Sequence, residues 1–214
     1  MKKSITKVLL ADDHTLVRAG LKRVLEEMPD ICIVAEAATG VEAFIKYEEV
    51  QPDVAIIDIS MPTMDGLETI KKLITSYHDA KILVLTMYPE EHYVARVLKA
   101  GALGYITKGT STSELHDAVR SVASGRRYLS KKGNETIILE FLETRRGLNS
   151  IQALSDRELQ VLILLAKGNK TKEIALDLNL SIKTIETYRS RVLTKLSLHT
   201  TADITRFAYQ NKLI

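Results

Sequence analysis

The feature that most constrains this chain is an alternation, repeated five times over roughly the first 125 residues, of a short apolar run with an amphipathic stripe. KVLLA (residues 7–11) precedes TLVRAGLKRVLEEM, in which Leu16, Val17, Ala19, Gly20, Leu21, Val24 and Leu25 share one helical stripe. ICIVAEA precedes VEAFIKYEEV, VAII precedes GLETIKKLITSY, KILVLT precedes EEHYVARVLKAG, and GYIT precedes SELHDAVRSVASG, with Gly101 and Gly125 closing the last two helices. Strand–helix alternation of this kind predicts a parallel sheet with helices on both faces. Such strands are buried on both sides, which is why the runs are continuously apolar. Right-handed crossovers then bring every strand's carboxyl end to one rim.

The third run, DVAIIDISMPTMDG (Asp53–Gly66), places Asp58 directly after its apolar residues. Pro62 lacks an N–H and pushes Met61 towards an extended conformation, and Asp65-Gly66 supplies turn chemistry before the next helix. Asp58 is therefore expected to stand exposed at the sheet edge where open α/β folds bind ligands. Taken singly, an acid there serves equally well as a turn former or helix cap. The other strand ends shift that balance: Asp12 and Asp13 end the first strand, Thr86 ends the fourth, and Lys108 follows the fifth. Three carboxylates with one ammonium suit a divalent cation and a phosphoryl group. Hard oxygen donors favour Mg²⁺, Asp58 is placed to act as the nucleophile, Lys108 to neutralise phosphoryl oxygens, and Thr86 to donate its hydroxyl to the product. His14 is read as a helix-start residue without a coordination role, because Mg²⁺ prefers oxygen; His78, His92, His116 and His199 show no ligand spacing.

These markers, an acid pair after the first strand, Asp58 followed by MPTMDG, Thr86 and Lys108, resemble the receiver domain of bacterial two-component response regulators over residues 5 to about 125. The resemblance implies a flavodoxin-like, five-stranded parallel sheet and phosphorylation at Asp58. It further implies Mg²⁺ bound directly by Asp13, Asp58 and the backbone carbonyl of Ser60, with Asp12 helping through water. Tyr105, three residues before Lys108, matches the aromatic that turns inward as the threonine moves to the phosphate; from the residue alone it is equally a half-buried strand tyrosine.

Composition narrows the setting. No apolar run approaches the roughly 20 residues of a membrane span, and MKKSITKVLLADD lacks a signal-peptide core, so a cytoplasmic protein is expected. The single Cys32 has no internal disulfide partner and, within ICIVAEA, is expected to be a small core residue. Residues 1–130 hold 16 Lys/Arg against 18 Asp/Glu, whereas residues 131–214 hold 14 against 9. The basic surplus thus belongs to the tail, which suggests an acidic site in front and a polyanion contact behind.

Between the two, residues 126–153 break the alternation: GRRYLSKKGNE is basic and turn-rich, TIILEFLE suits a short helix, and TRRGLNSIQA is loop-like. So long a connection predicts an interdomain linker between a first domain, 1–125, and a second, 154–214.

The second domain reads as all-α with four helices. Ser155 and Glu158 form a capping box ahead of Leu159, Val161, Leu162, Leu164 and Leu165, stopped by Gly168-Asn169. KTKEIALDL follows with Ile174, Ala175 and Leu178 inward; after Asn-Leu-Ser a longer helix starts at Ser181, and TTADITRFAYQNKL gives the last. Two helices joined by a tight turn, the second bearing a polar and basic face, match helix-turn-helix geometry. The stretch from Leu154 to Leu198 is similar throughout to the LuxR-type DNA-binding domain, and receiver plus this module is the NarL/FixJ class of response regulator.

That resemblance makes Ile182–Leu196 the recognition helix. Glu186, Thr187 and Ser190 match base-reading positions, and Lys183, Thr184, Tyr188, Arg189 and Arg191 match phosphate or groove contacts. Glu186 is able to accept from cytosine N4 or to pair along its own helix with Arg189 or Ser190. Lys170 and Lys172 are expected to clamp the backbone. The last helix corresponds to the one through which this class dimerises on DNA, although core packing explains Ile204 and Phe207 equally well.

The expectation is therefore a phosphorylation-switched transcription factor. Its partners would be a sensor histidine kinase, double-stranded DNA, a second copy of the chain and RNA polymerase, with no membrane. A metal-dependent phosphohydrolase working through an aspartyl-phosphate shares the front chemistry. A receiver whose helical tail binds protein is the third reading.

Overall fold

The computed structural model describes residues 5–144, 151–211 and 213–214, with side chains at all of these except 90–92, 139–144 and 152. The apolar runs form β1 (Thr6–Ala11), β2 (Ile31–Ala37), β3 (Val54–Ile57), β4 (Ile82–Thr86) and β5 (Gly104–Thr107), all paired in parallel. The helices between and after them are α1 (Thr15–Glu26), α2 (Gly40–Val50), α3 (Gly66–Ser76), α4 (Glu90–Lys99) and α5 (Thr112–Ala123). The strand order is β2-β1-β3-β4-β5-β6, the last position taken by a two-residue strand, β6 (Tyr128–Leu129). That is the flavodoxin-like α/β sheet expected, extended by one short strand.

Burial follows position in the sheet. β3 and β4 are buried along their whole length, and Val8, Leu9 and Leu10 of β1 are fully covered. On one face Val8, Leu10, Ile56, Leu83, Leu85 and Ile106 pack with Leu25, at the end of α1, and with Leu115, Val119 and Val122 of α5. Each such side chain contributes on the order of 1.5–3 kcal/mol when fully buried. The intervening residues Leu9, Ala55, Ile57 and Tyr105, also buried, belong to the opposite face by the two-residue period of a strand.

Two apolar expectations fail for the same reason, distance from the sheet's middle. Cys32 is exposed, not a core residue, because β2 is the edge strand and has β1 alone as a neighbour. Leu16 and Val17 are 88% and 36% exposed, so the buried stripe of α1 begins only at Leu21. The first turn of α1 stands beyond the strand ends, where no sheet lies beneath it.

The basic stretch after Gly125 is more ordered than its composition implies. Gly104 and Tyr105 of β5 pair with Tyr128 and Leu129, and a helix, α6 (Lys131–Thr144), starts five residues ahead of TIILEFLE, with Ser130 Oγ accepting from Gly133 N at 3.0 Å. A two-residue strand is too short for any periodicity to reveal it. The loop expected after α6 falls on residues 145–150, outside the described residues, and a 3-10 turn covers Ile151–Ala153.

The chain divides into two compact units, Met1–Glu140 and Phe141–Ile214. In the second, α7 (Asp156–Ala166), α8 (Thr171–Asp177), α9 (Ile182–Lys195) and α10 (Thr201–Gln210) are the four expected helices. The Ser155/Glu158 capping box forms, and Gly168, at φ +90°, follows the end of α7. α7 is the centre: Leu159, Val161, Leu162, Ile163 and Leu165 are buried, and α8, α9 and α10 all pack on it.

Candidate functional site

Strand register assembles the first group of side chains. Ala11 pairs with Ile57, so the next residues, Asp12 and Asp58, leave the sheet side by side. Asp58 N donates to Ala11 O at 2.9 Å and Asp12 N to Ala37 O at 3.0 Å. Two strands over, Thr86 pairs with Thr107, and Lys108 N donates to Thr86 O at 2.8 Å. From there the Lys108 side chain reaches Asp58 Oδ2 at 2.6 Å and Asp12 Oδ2 at 2.7 Å. All three side chains are almost wholly buried, which corrects the expectation of an exposed Asp58: the carboxylate is 3% exposed, with Lys108 against it.

Burial works against the Lys108 charge, but the Asp58 and Asp12 carboxylates outweigh it and hold the ammonium above its ordinary range. Burial raises the Asp13 carboxyl, and the charges of Asp58 and Asp12 push the same way against the opposing pull of His14. Asp58 Oδ1 is buried and, among the described residues, has no hydrogen-bond partner. An uncompensated buried oxygen in an acidic cluster is costly, and a cation removes that cost. Ligand atoms from Asp12, Asp13, His14 and Asp58 all lie within 4.8 Å of one another. The carboxylates are hard oxygen donors of the kind Mg²⁺ takes.

The loop after β3 is folded tightly against this group. Met61 N and Gly66 N both donate to Ile59 O, at 3.1 and 2.9 Å, and half-buried Ser60 lies within that turn. A Cβ at Gly66 would stand 2.1 Å from Asp58 O, so only glycine admits this path. Asp65 caps α3, accepting from Glu68 N at 2.8 Å. Thr86 is fully buried. Tyr105 is inward and fully buried, not half-buried, and its hydroxyl donates to Tyr88 O at 2.8 Å.

Two residues near the acid loop escaped the sequence reading. Arg18 Nη1 donates to the Asp12 carbonyl at 2.5 Å, and its Nε lies 3.4 Å from Glu36 Oε2. Lys22 holds the other oxygen of Glu36 at 2.7 Å, and its hydrogen bond and charge keep that carboxyl below the usual range despite burial. The only sequence signal for Arg18 was a cation one helical turn into α1. His14, read as a bystander, has Nδ1 2.8 Å from Asp13 Oδ1 and 3.6 Å from Asp12 Oδ1.

The second group is a single helical surface. Ser181 Oγ accepts from Thr184 N at 3.0 Å, and α9 turns Ile185 and Val192 into the core. Lys183, Glu186, Thr187, Ser190 and Arg191 are exposed, whereas Thr184, Tyr188 and Arg189 are half-buried. Thr194 continues the exposed face one turn further and was not among the expected residues. Arg189 Nη2 donates to Thr201 Oγ1 at 3.0 Å. Glu186 has neither an ion pair nor a hydrogen-bond partner among the described residues, which leaves its carboxylate free of Arg189. Lys170 and Lys172, at the start of α8, are both exposed. Lys195, in the last turn of α9, reaches the buried Glu158 at 2.6 Å and ties that end to α7. In α10, Ile204 and Ala208 are buried and Phe207 half-buried, while Tyr209 is 75% exposed.

Comparison with known proteins matches residues 8–120 to the response regulator receiver domain and residues 152–208 to the luxR family of bacterial regulatory proteins. The response regulator UvrY of Escherichia coli K12 is 40% identical over 96% of this chain and 94% of its own. The oxygen regulatory protein NreC of Staphylococcus carnosus is 41% identical over 97% of this chain and 99% of its own. Among solved structures, RcsB from Salmonella enterica serovar Typhimurium, bound to the promoter rprA with the phosphomimetic BeF₃⁻, superposes with a TM-score of 0.63. It is 26% identical, covering 95% of this chain and 98% of that one.

Proposed function

Because the chain belongs to the NarL/FixJ family of two-component response regulators, a receiver domain joined to a LuxR-type DNA-binding domain, we propose that Asp58 is its phosphoacceptor and that phosphorylation controls binding of α9 to DNA. The observation that carries this reading is the shared grip of Lys108 on Asp12 and Asp58, with Asp58 Oδ1 left unpaired.

Asp12, Asp13, Asp58 and the Ser60 carbonyl are the groups that would hold Mg²⁺, which supplies charge neutralisation for the phosphoryl oxygens. A carboxylate oxygen of Asp58 attacks the phosphorus of a phosphohistidine on the sensor kinase; the N–P bond breaks and the imidazole departs with its electron pair. Lys108 then follows the new charge, about −1.5 to −2 by analogy with other phosphorylated side chains. The Thr86 hydroxyl donates to a phosphoryl oxygen, and Tyr105, packed behind Thr86's strand, fills the inward position that accompanies this. In the second unit, Glu186, Thr187 and Ser190 face base edges. Lys183, Thr184, Tyr188, Arg189 and Arg191 contact phosphates or groove walls, with Lys170 and Lys172 clamping the backbone. The receiver spans 1–125, a linker 126–153, and the DNA-binding domain 154–214. The chain acts in the cytoplasm as a homodimer on a two-fold site, where RNA polymerase is its further partner. Among the described residues no helix is long and apolar enough to cross a membrane.

The test is labelling with a small-molecule phosphodonor and Mg²⁺. The natural chain should take up close to one phosphoryl group and then bind duplex DNA more tightly, with affinity falling steeply as salt rises. Asp58→Asn should take up none and show no gain in binding. Labelling of Asp58→Asn to the same extent would overturn the site assignment, and many turnovers per chain would favour a phosphohydrolase.

A further inference from the structure

One stretch of the first unit runs against the charge of the rest. Residues 1–125 hold 14 Lys/Arg against 18 Asp/Glu, yet between Asp117 and Glu135 there is no acid, while Arg120, Arg126, Arg127, Lys131 and Lys132 all fall there. We infer that Arg126, Arg127, Lys131 and Lys132 form a second DNA contact, a strip that grips the phosphate backbone of the same duplex whose bases α9 faces. This contact presupposes the DNA-binding role proposed for α9 and extends it to the first unit.

The strip has a fixed backbone. After α5 the chain turns at Gly125, with φ at +76°, and Gly125 N donates to Val122 O at 2.9 Å and Arg126 N to Ser121 O at 3.0 Å. Tyr128 N donates to Leu103 O at 3.0 Å, Tyr128 and Leu129 pair with β5, and the Tyr128 side chain packs against the core. Beyond β6, Gly133 N donates to Ser130 Oγ and Asn134 Nδ2 to Ser130 O, both at 3.0 Å, which fixes the start of α6. On this frame all four cations are exposed. Arg126 Nε donates only to Ser124 Oγ, at 3.0 Å, and Arg127 and Lys131 make no ion pair among the described residues. Arg120, by contrast, is held by Asp30 at 3.1 Å and stands outside the strip.

Duplex DNA fits this surface better than a small anion does. From Arg127 to Lys131 is at most about 14 Å of extended chain, a length over which a duplex carries about eight phosphate charges. Four cations therefore find partners without rearranging, and an ordered backbone has less freedom to lose on binding. The first turn of α6 holds no acid, so the positive end of that helix adds to the same field. Residues 133–153 join the strip to the four-helix domain. Once α9 holds a duplex, the strip meets it at the effective concentration of a tethered group, an advantage that no free phosphate or acidic peptide shares. Elsewhere the first unit's excess of acid repels a polyanion. Contacts of this kind strengthen and orient binding without reading sequence.

The test is a fluorescence anisotropy titration of the full chain with long random-sequence duplexes, between about 50 and 200 mM salt. Three proteins are compared: the natural chain, a fourfold variant with Arg126→Gln, Arg127→Gln, Lys131→Gln and Lys132→Gln, and a charge-keeping variant with Arg126→Lys and Arg127→Lys. Thermal melting checks folding, and labelling of Asp58 checks the receiver. The fourfold variant should bind about 10–100-fold more weakly at low salt, with a logarithmic salt slope shallower by about three. Its labelling and its preference between two duplex sequences should stay as in the natural chain, and the charge-keeping variant should retain the slope. Should the fourfold variant melt early, Lys131→Gln with Lys132→Gln carries the test, with about half the change in slope. An unchanged slope overturns the inference, whether affinity holds, which leaves DNA to the second unit alone, or falls, which makes the four residues structural. No duplex binding by the natural chain at low salt sinks the role of α9 and the strip together.

Discussion

The two ends of this chain handle charge in opposite ways. On the receiver's rim, Asp12, Asp58 and Lys108 come from three strands, are buried, and spend their charges on one another. On α9 the polar groups come from one helix, stand in water, and in the case of Glu186 have no partner among the described residues. A buried cluster that shares one ammonium between two carboxylates is poised: under the proposed reading, a phosphoryl group on Asp58 would draw Lys108 to a new partner. An exposed, hydrated face that carries cations gains by counterion release when it meets a polyanion, the role proposed for α9. Chemistry needs the first arrangement, because electrostatics are strong only away from water. Recognition uses the second, because groups that must meet a large partner have to reach it.

Breaking the buried side of this contrast should have the largest consequence. Lys108→Ala removes the only cation in contact with Asp58 among the described residues. It is expected to slow phosphoryl uptake from a small phosphodonor about 10²–10³-fold, as measured by labelling rate, while leaving the unphosphorylated chain's DNA affinity unchanged. An equal drop in DNA affinity would show that the two regions are not separable in this way.

Among the described residues the second unit has one buried charge, Glu158, and it sharpens the comparison. Burial pushes the Glu158 carboxyl up, but Lys195 and the Ser155 donors pull harder, so it sits below its ordinary range. A lowered value in the folded state means the stabilisation is present above the unfolded value, near pH 4.3, and is lost as pH falls through the folded one. Glu158→Gln should therefore cost about 2 kcal/mol near neutral pH, from a cap and an ion pair whose lysine is partly hydrated. It should also flatten the acid limb of the stability curve. Hydrogen exchange at α7 and α9 amides under rising urea measures both effects and keeps them apart from the receiver.

Arg18→Ala tests whether the acid loop is held from behind. The loop loses its tether at the Asp12 carbonyl, and Mg²⁺ affinity should fall about tenfold by calorimetry, with partial rescue by lysine. The smallest effect is expected on the exposed face. Lys183→Ala should weaken DNA binding severalfold across unrelated sequences and reduce the salt slope by about one, whereas Glu186→Ala should change preference among sequences more than overall affinity. Gel-shift titrations at several salt concentrations distinguish the two.

Much of this was legible beforehand wherever the signal is local. The strand–helix alternation, the capping box of Ser155 and Glu158, the stop at Gly168 and the start of α9 at Ser181 each depend on residues a few positions apart. Position in the sheet is not local. Cys32 and Leu25 are both apolar residues in patterned elements, yet one is exposed on the edge strand and the other fully buried. β6 was invisible because two residues carry no period.

The amino-acid sequence by itself determined which residues end which strands and which face of each helix is greasy, since periodicity and turn chemistry are written in neighbouring side chains. Only the tertiary structure decided the order β2-β1-β3-β4-β5-β6, and with it that Lys108 spans Asp12 and Asp58. The Lys108 contacts are fixed by register and crossing between segments up to a hundred residues apart, and no short window of sequence contains both partners.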